Sequence, residues 1–306
     1  MAQKRTFMQG LAQGWLRAHG RLPLWYHHAV ARVLAWFIRC VARYRVDVVQ
    51  DNLQKSFPEK SAKEIKAIQK RFYRHLANIL TEVVWFGSCK GDSGRKRLKE
   101  SHIVEITNPE VLNRLFHERK QVMIMQSHSG NWELIGGILN YTYTEPLAID
   151  THTFAITYLP LHNQFWDAFM RENRQAPVMD MDFNGYIPSQ QVAKEVFANR
   201  DKHYCYSFIT DQYPYGPNRS HSLKFMNRDT VVMPGAAKLA HRTDMAVLFL
   251  SFKCRPEGGY TMTFVPITEH AAQMEPMGIT SQYFKLLEED LKAQPWNYLW
   301  THRRWK

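Results

Sequence analysis

From about residue 103 onward the chain alternates short runs of buried-strand character with stretches of helical periodicity, and that alternation leaves few folds open. The first apolar run, 122–125, lies between a helical pattern over 109–119 and a second over about 131–139. "HYCYSFITD" (203–211) follows a helical stretch from about Ser189, and "MAVLFLSF" (245–252) follows one from about Pro234. "YTMTFVPI" (260–267) comes next, joined through Glu257-Gly258-Gly259, a turn that suits an antiparallel pair. Strands apolar on both faces need cover on both sides, and the intervening helices supply it. The predicted fold is therefore α/β, with a mixed, mostly parallel central sheet flanked by helices. Sites in such sheets collect beyond the carboxyl ends of the strands, here the turns 126–133 and 211–217.

The first hundred residues read differently. The stretch 22–41 has nearly the ~20 residues that cross a bilayer, but it carries His27, His28, Arg32 and Arg39, which argues against a plain span. On a helical projection Val30, Val33, Leu34, Phe37, Ile38 and Val41 share one side, with His28, Arg32, Arg39 and Arg43 on the other. Such a helix either docks its apolar side on the core or lies in a membrane interface. Trp25, Tyr26, Trp36 and the arginines suit the second arrangement. Further on, Ser61 and Glu64 form a capping box that opens a long helix to about Phe86, and the Gly-, Ser- and Lys-rich stretch 87–100 reads as a linker. The expected organisation is a membrane-associating segment over 1–45, a helical region over 46–100 and an α/β domain over 101–306.

Composition narrows the function class. Hydrophobic residues at 45% and charged residues at 22% exclude a disordered or a polytopic membrane chain. A net charge of +12 points to an anionic partner: nucleic acid, acidic protein or phosphorylated lipid. Cys40, Cys89, Cys205 and Cys254 are scattered and spell neither a disulfide framework nor a zinc module, which suits a reducing compartment. Lys4 and Arg5 lead into polar residues rather than an apolar run, so no secretory signal is expected.

The sharpest local signal is "SHSGNWELIGG". His128 leaves a strand end, Gly130 permits a tight turn, and Glu133 falls in the first turn of the next helix. From there its carboxylate can fold back to one imidazole nitrogen and leave the other as a general base. The bland reading is a histidine capping a turn, with Glu133 favouring a helix N-terminus. A metal-dependent hydrolase would need a third ligand near this pair, and none is spaced there. Nucleophile-elbow, zincin and dinucleotide motifs are missing from the sequence.

Over most of its length the chain resembles the bacterial lipid A biosynthesis acyltransferases of the late, lauroyl- and myristoyl-transferring type. The resemblance runs from "RYRVDVVQDNLQKSFPEKSAKEI" through "QSHSGNWEL" and "TDQYPYGPNRS" to "PWNYLWTHRRWK". "NLQKSFPEKS" followed by "HSGNWE" looks more like the Bacteroidetes branch than the enterobacterial one.

That resemblance implies a glycerolipid-acyltransferase-like fold and transfer of a fatty acyl group from acyl carrier protein to a hydroxyl of a lipid A precursor. It also implies the cytoplasmic face of the inner membrane as location, no metal or organic cofactor, and no nucleic-acid partner. His128 and Glu133 take the family's catalytic positions. Asn131, Trp132, Arg171, Asp211, Gln212 and Arg219 are the candidate substrate-binding residues. After Arg171 the chain reads "QAPVMDMDFNGYIPS", a departure from the family's usual glycine and Met-Lys pattern. The basic-aromatic tail, with Trp296, Tyr298, Trp300 and Trp305, is expected at a membrane interface, the alternative being that its tryptophans finish the core. Two other functions remain open: transfer to another glycolipid or aminolipid, and a basic nucleic-acid-binding protein using the same aromatics.

Overall fold

A computed structural model describes residues 7–161, 163–214 and 221–306. Five helices come first: α1 (Phe7–Gly20), α2 (Leu24–Trp36), α3 (Val46–Ser56), α4 (Ala62–Phe86) and α5 (Gly91–Glu100). Strands and helices then alternate through β1 (Val104–Ile106), α6 (Pro109–Glu118), β2 (Gln121–Gln126), β3 (Phe154–Tyr158), α7 (Gln164–Arg174), β4 (Tyr186–Pro188), α8 (Val192–Ala198) and β5 (Tyr204–Ile209). The small pair β6 (Ser222–Phe225) and β7 (Arg228–Val231) follows, then α9 (Gly235–Thr243), β8 (Ala246–Cys254), β9 (Tyr260–Thr268) and α10 (Pro276–Ala293).

Seven strands form one sheet in the order β1-β9-β8-β2-β5-β3-β4, parallel at every pairing except the antiparallel β8–β9 hairpin. This is the mixed, mostly parallel sheet expected, and the hairpin turns through Gly258 and Gly259, both at positive φ. Strand alternation divides the core in two. Met123 and Met125 of β2 join α4, α9 and α10 on one face, while Val122 and Ile124 join α5 and α6 on the other. In α4 the Ser61–Glu64 capping box is complete, and the helix stops at Phe86 as expected.

Three local expectations need correction. The stretch 87–100 is mostly the helix α5, not a linker. Its weak intrinsic propensity is overridden by burial of Leu98, by Gly94 lying against the Cys89 backbone, and by Arg97 donating to the carbonyls of Gly20 and Leu22. The helix after His128, Trp132–Asn140, is 3-10. Its Gly136 sits where a Cβ would fall 1.7 Å from the Arg174 carbonyl, so the segment is wound against the end of α7. The C-terminal tail belongs to the interior: Tyr298 and Trp300 are buried and Trp296 and Trp305 are partly buried against the same core.

α2 is turned opposite to an ordinary docked helix. His27 and Ala31 are buried, whereas Trp25, Val33 and Trp36 are 70%, 68% and 61% exposed. The apolar side continues outward through a π-helical turn, Phe37–Val41, with Phe37 and Val41 also exposed. Among the described residues no helix is long and apolar enough to cross a membrane.

Candidate active site

β2 and β5 are parallel neighbours with Gln126 opposite Ile209, so the turns that follow them emerge side by side. His128 stands two residues beyond β2 and Asp211 two beyond β5. His128 Nδ1 lies 2.8 Å from Asp211 Oδ1, and Asp211 is buried. Burial pushes the Asp211 carboxyl up, but the adjoining imidazole and the hydrogen bonds from His128 and Tyr298 outweigh it and hold the group below the usual carboxylate range. An ionised carboxylate only accepts hydrogen bonds, so Nδ1 carries the proton. The Gln212 amide nitrogen lies 3.0 Å from Nε2, a position from which it donates to that nitrogen's lone pair. The Trp132 ring stands edge-on to the imidazole at 5.0 Å between centroids.

The turn carrying His128 is pinned on both sides. Gly130 has φ +59°, and a Cβ there would meet the Phe252 ring at 2.5 Å, which makes glycine necessary. The Gly130 N–H donates to Asn297 Oδ1 at 2.7 Å. Asn131 is fully buried, and its amide donates to Glu82 of α4 at 2.9 Å.

Glu133 does not orient His128. It forms a bidentate ion pair with Arg174, through Nε and through Nη2 at 2.7 Å from Oε1, and accepts from the Trp132 indole at 3.0 Å. Arg174 also donates to the Tyr186 hydroxyl at 2.9 Å. Burial works against the Arg174 charge, and the Glu133 carboxylate outweighs it and keeps the guanidinium protonated. The expected His128–Glu133 hydrogen bond is thus replaced by two pairs, His128–Asp211 and Glu133–Arg174. A 3-10 segment wound against α7 carries Glu133 toward Arg174, while sheet order delivers Asp211 to the imidazole.

Of the other candidates, Trp132, Asp211 and Gln212 gather around His128, whereas Asn131 is turned into the interior. Arg171 is exposed on α7, one turn before the arginine that meets Glu133. Arg219 lies outside the described residues. Arg174 and Glu82 escaped the sequence reading, and Tyr298 entered it only as an aromatic of the tail. Arg174 had a signal, since "FMRENR" places two arginines three residues apart on one helix. Arg304 adds a buried guanidinium without a hydrogen-bond partner among the described residues; burial lowers its pKa, and the nearby Asp211 carboxylate opposes that.

Beside Trp132 and Glu133 opens a groove of about 600 Å³. Leu76, Ile79, Leu80 and Val83 of α4, Phe169 of α7 and Leu299 make its wall largely apolar. An imidazole with a buried carboxylate on Nδ1, the Gln212 amide on Nε2 and an apolar groove across the Trp132 ring can deprotonate an alcohol whose hydroxyl takes the place of that amide, while a hydrocarbon chain is held in the groove.

Among curated proteins none matches the chain. A family model described as bacterial lipid A biosynthesis acyltransferase matches residues 3–306, nearly the whole length, and on that match the chain belongs to the bacterial lipid A biosynthesis acyltransferases.

Proposed function

We propose that this acyltransferase is a late-type enzyme of the Bacteroidetes branch, moving a fatty acyl group from acyl carrier protein to a hydroxyl of a lipid A precursor at the cytoplasmic face of the inner membrane. The observation that carries the reading is the His128 imidazole, bonded through Nδ1 to buried Asp211 beside an apolar groove. Nε2 takes the proton of the acceptor hydroxyl as its oxygen attacks the thioester carbonyl. The carbon–sulfur bond then breaks, and the thiolate takes the proton back from the imidazolium, so the exchange balances without a cofactor. Asp211 stabilises the transient imidazolium, the role the sequence assigned to Glu133. Glu133 and Arg174 hold the segment behind Trp132 against α7.

Charge and surface support the partners. A +12 chain attracts both an acidic carrier protein and a phosphorylated saccharolipid. The exposed apolar side of α2, with its tryptophans, suits a lipid interface. Purified protein with long-chain acyl-acyl carrier protein and a tetraacylated lipid A precursor is expected to yield a pentaacylated product by mass spectrometry. His128→Ala is expected to lower the rate by about 10² to 10⁴. A loss under about tenfold removes the general-base role.

A further inference from the structure

Glu82 of α4 is 1% exposed and sits behind the turn that carries His128. Three donors from three elements converge on it. His28 Nε2 of α2 lies 2.9 Å from Oε1, Asn131 Nδ2 of the turn 2.9 Å from Oε2, and the Tyr260 hydroxyl of β9 2.8 Å from Oε2. Burial disfavours the ionised form, and the hydrogen bond and charge of His28, then Asn131 and Tyr260, more than offset it and hold the carboxyl below its usual range.

The contact with Asn131 decides the geometry of the turn. The Asn131 side chain is fully buried, its amide donates to Glu82, and its Oδ1 makes no hydrogen bond among the described residues. Among them, Glu82 is thus the one hydrogen-bond partner that orients this side chain. On one flank is Gly130, whose N–H is fixed to Asn297; on the other is Trp132, packed on the His128 ring. A rotation at Asn131 is transmitted to both flanks of the imidazole. Nothing else in the reaction uses Glu82, yet a fully buried carboxylate with three donors is costly to assemble.

We propose that Glu82 is a positioning residue for acyl transfer, acting through Asn131 to hold the His128 turn in register with Asp211, with His28 of α2 and Tyr260 of β9 fixing its carboxylate from the other sides. The inference rests on His128 being the base.

Steady-state transfer by the full chain, on protein whose melting curve shows it folded, tests this. Glu82→Ala is expected to lower kcat about 10- to 100-fold with the KM for the acyl donor within about twofold, a loss of alignment rather than of substrate affinity. Asn131→Ala is expected to match it, and the double variant to be no worse than either single one, because both remove one contact. The exchange pair serves where an alanine variant does not fold. Asn131→Asp sets two carboxylates against each other and lowers kcat about 100-fold. Adding Glu82→Gln restores an amide-to-carboxylate hydrogen bond and recovers at least tenfold. Unchanged kcat in folded Glu82→Ala, multiplicative losses in the double variant, or no recovery in the exchange pair each overturn the proposal. His128→Ala run in parallel separates the two ideas: if it stays active the base assignment fails, and if it is inactive while the Glu82 variants are normal only the positioning role fails.

Discussion

At the scale of single residues, His128 and Asp211 were both readable as site candidates, and their pairing was not. The histidine announces itself in "SHSGNWE", where a strand end, a glycine and a short polar turn are adjacent in the chain. Asp211 comes from 83 residues away, through the pairing of β2 with β5, and no local spacing contains that distance. The signal that brought both turns into the reading was topological, since each leaves the carboxyl end of a strand, but it does not say which side chains meet. The two carboxylates near the motif are predicted to fail differently. Asp211→Asn preserves shape but removes the charge that fixes the Nδ1–H tautomer, so kcat is expected to fall about 10³-fold with little change in melting temperature. Glu133→Gln leaves a part-buried guanidinium without its ion-pair partner, a loss that costs ~3–5 kcal/mol where both groups are fully buried and less here, so its effect is expected first in the melting curve. Parallel kinetics and thermal melts on the two variants check the division; a Glu133→Gln protein that melts normally but has lost its kcat would return the catalytic role to the carboxylate in the motif.

Among the elements, those with strong internal signals were legible. The capping box and unbroken periodicity of α4, the apolar β2, β5 and β8, and the Gly-Gly hairpin are all where the sequence places them. α5 and the 3-10 segment were misread because tertiary contacts decide them: a buried Leu98, a glycine against a distant carbonyl. α2 is the instructive case. Its amphipathic pattern was plain, but periodicity cannot say which side faces the core, and here the histidine side packs inward on α4 while the tryptophans face out. If that outer side lies on lipid, Trp25→Ser, Val33→Ser and Trp36→Ser together should weaken binding to phosphatidylglycerol vesicles by about 100-fold or more, at ~1.5–3 kcal/mol per large side chain withdrawn from the interface. Because all three are exposed, the melting temperature in buffer should not fall. Unchanged sedimentation with vesicles would leave this face without a lipid role.

For the molecule as a whole, the site is assembled on a core that contains neutral histidines, and this gives folding a pH dependence whose sign can be worked out. His75 is buried in α4, and burial pushes its pKa down to about 4; His302, beside the site, is likewise lowered to about 4, first by burial. In the unfolded chain each returns to about 6.5. Between those values the unfolded state binds more protons than the folded one, so stability rises with pH across the window and is lost as pH falls from about 6.5 toward 4. A shift of this size at fully buried His75 amounts to about 3 kcal/mol. The lowered carboxyls of Asp211 and Glu82 act in a separate window, since their contribution is present above the unfolded carboxylate pKa near 4 and is lost only as pH drops through their lower folded values. Urea unfolding midpoints should therefore decline between pH 6.5 and 4 before carboxylate protonation adds to the loss. His75→Leu removes one of the lowered imidazoles, His27 and His302 remaining, while keeping an apolar side chain in place, so its midpoint should decline less steeply across that window. An identical slope in the two proteins would mean that His75 takes up no proton on unfolding across that window, and its burial would contribute nothing to the pH dependence.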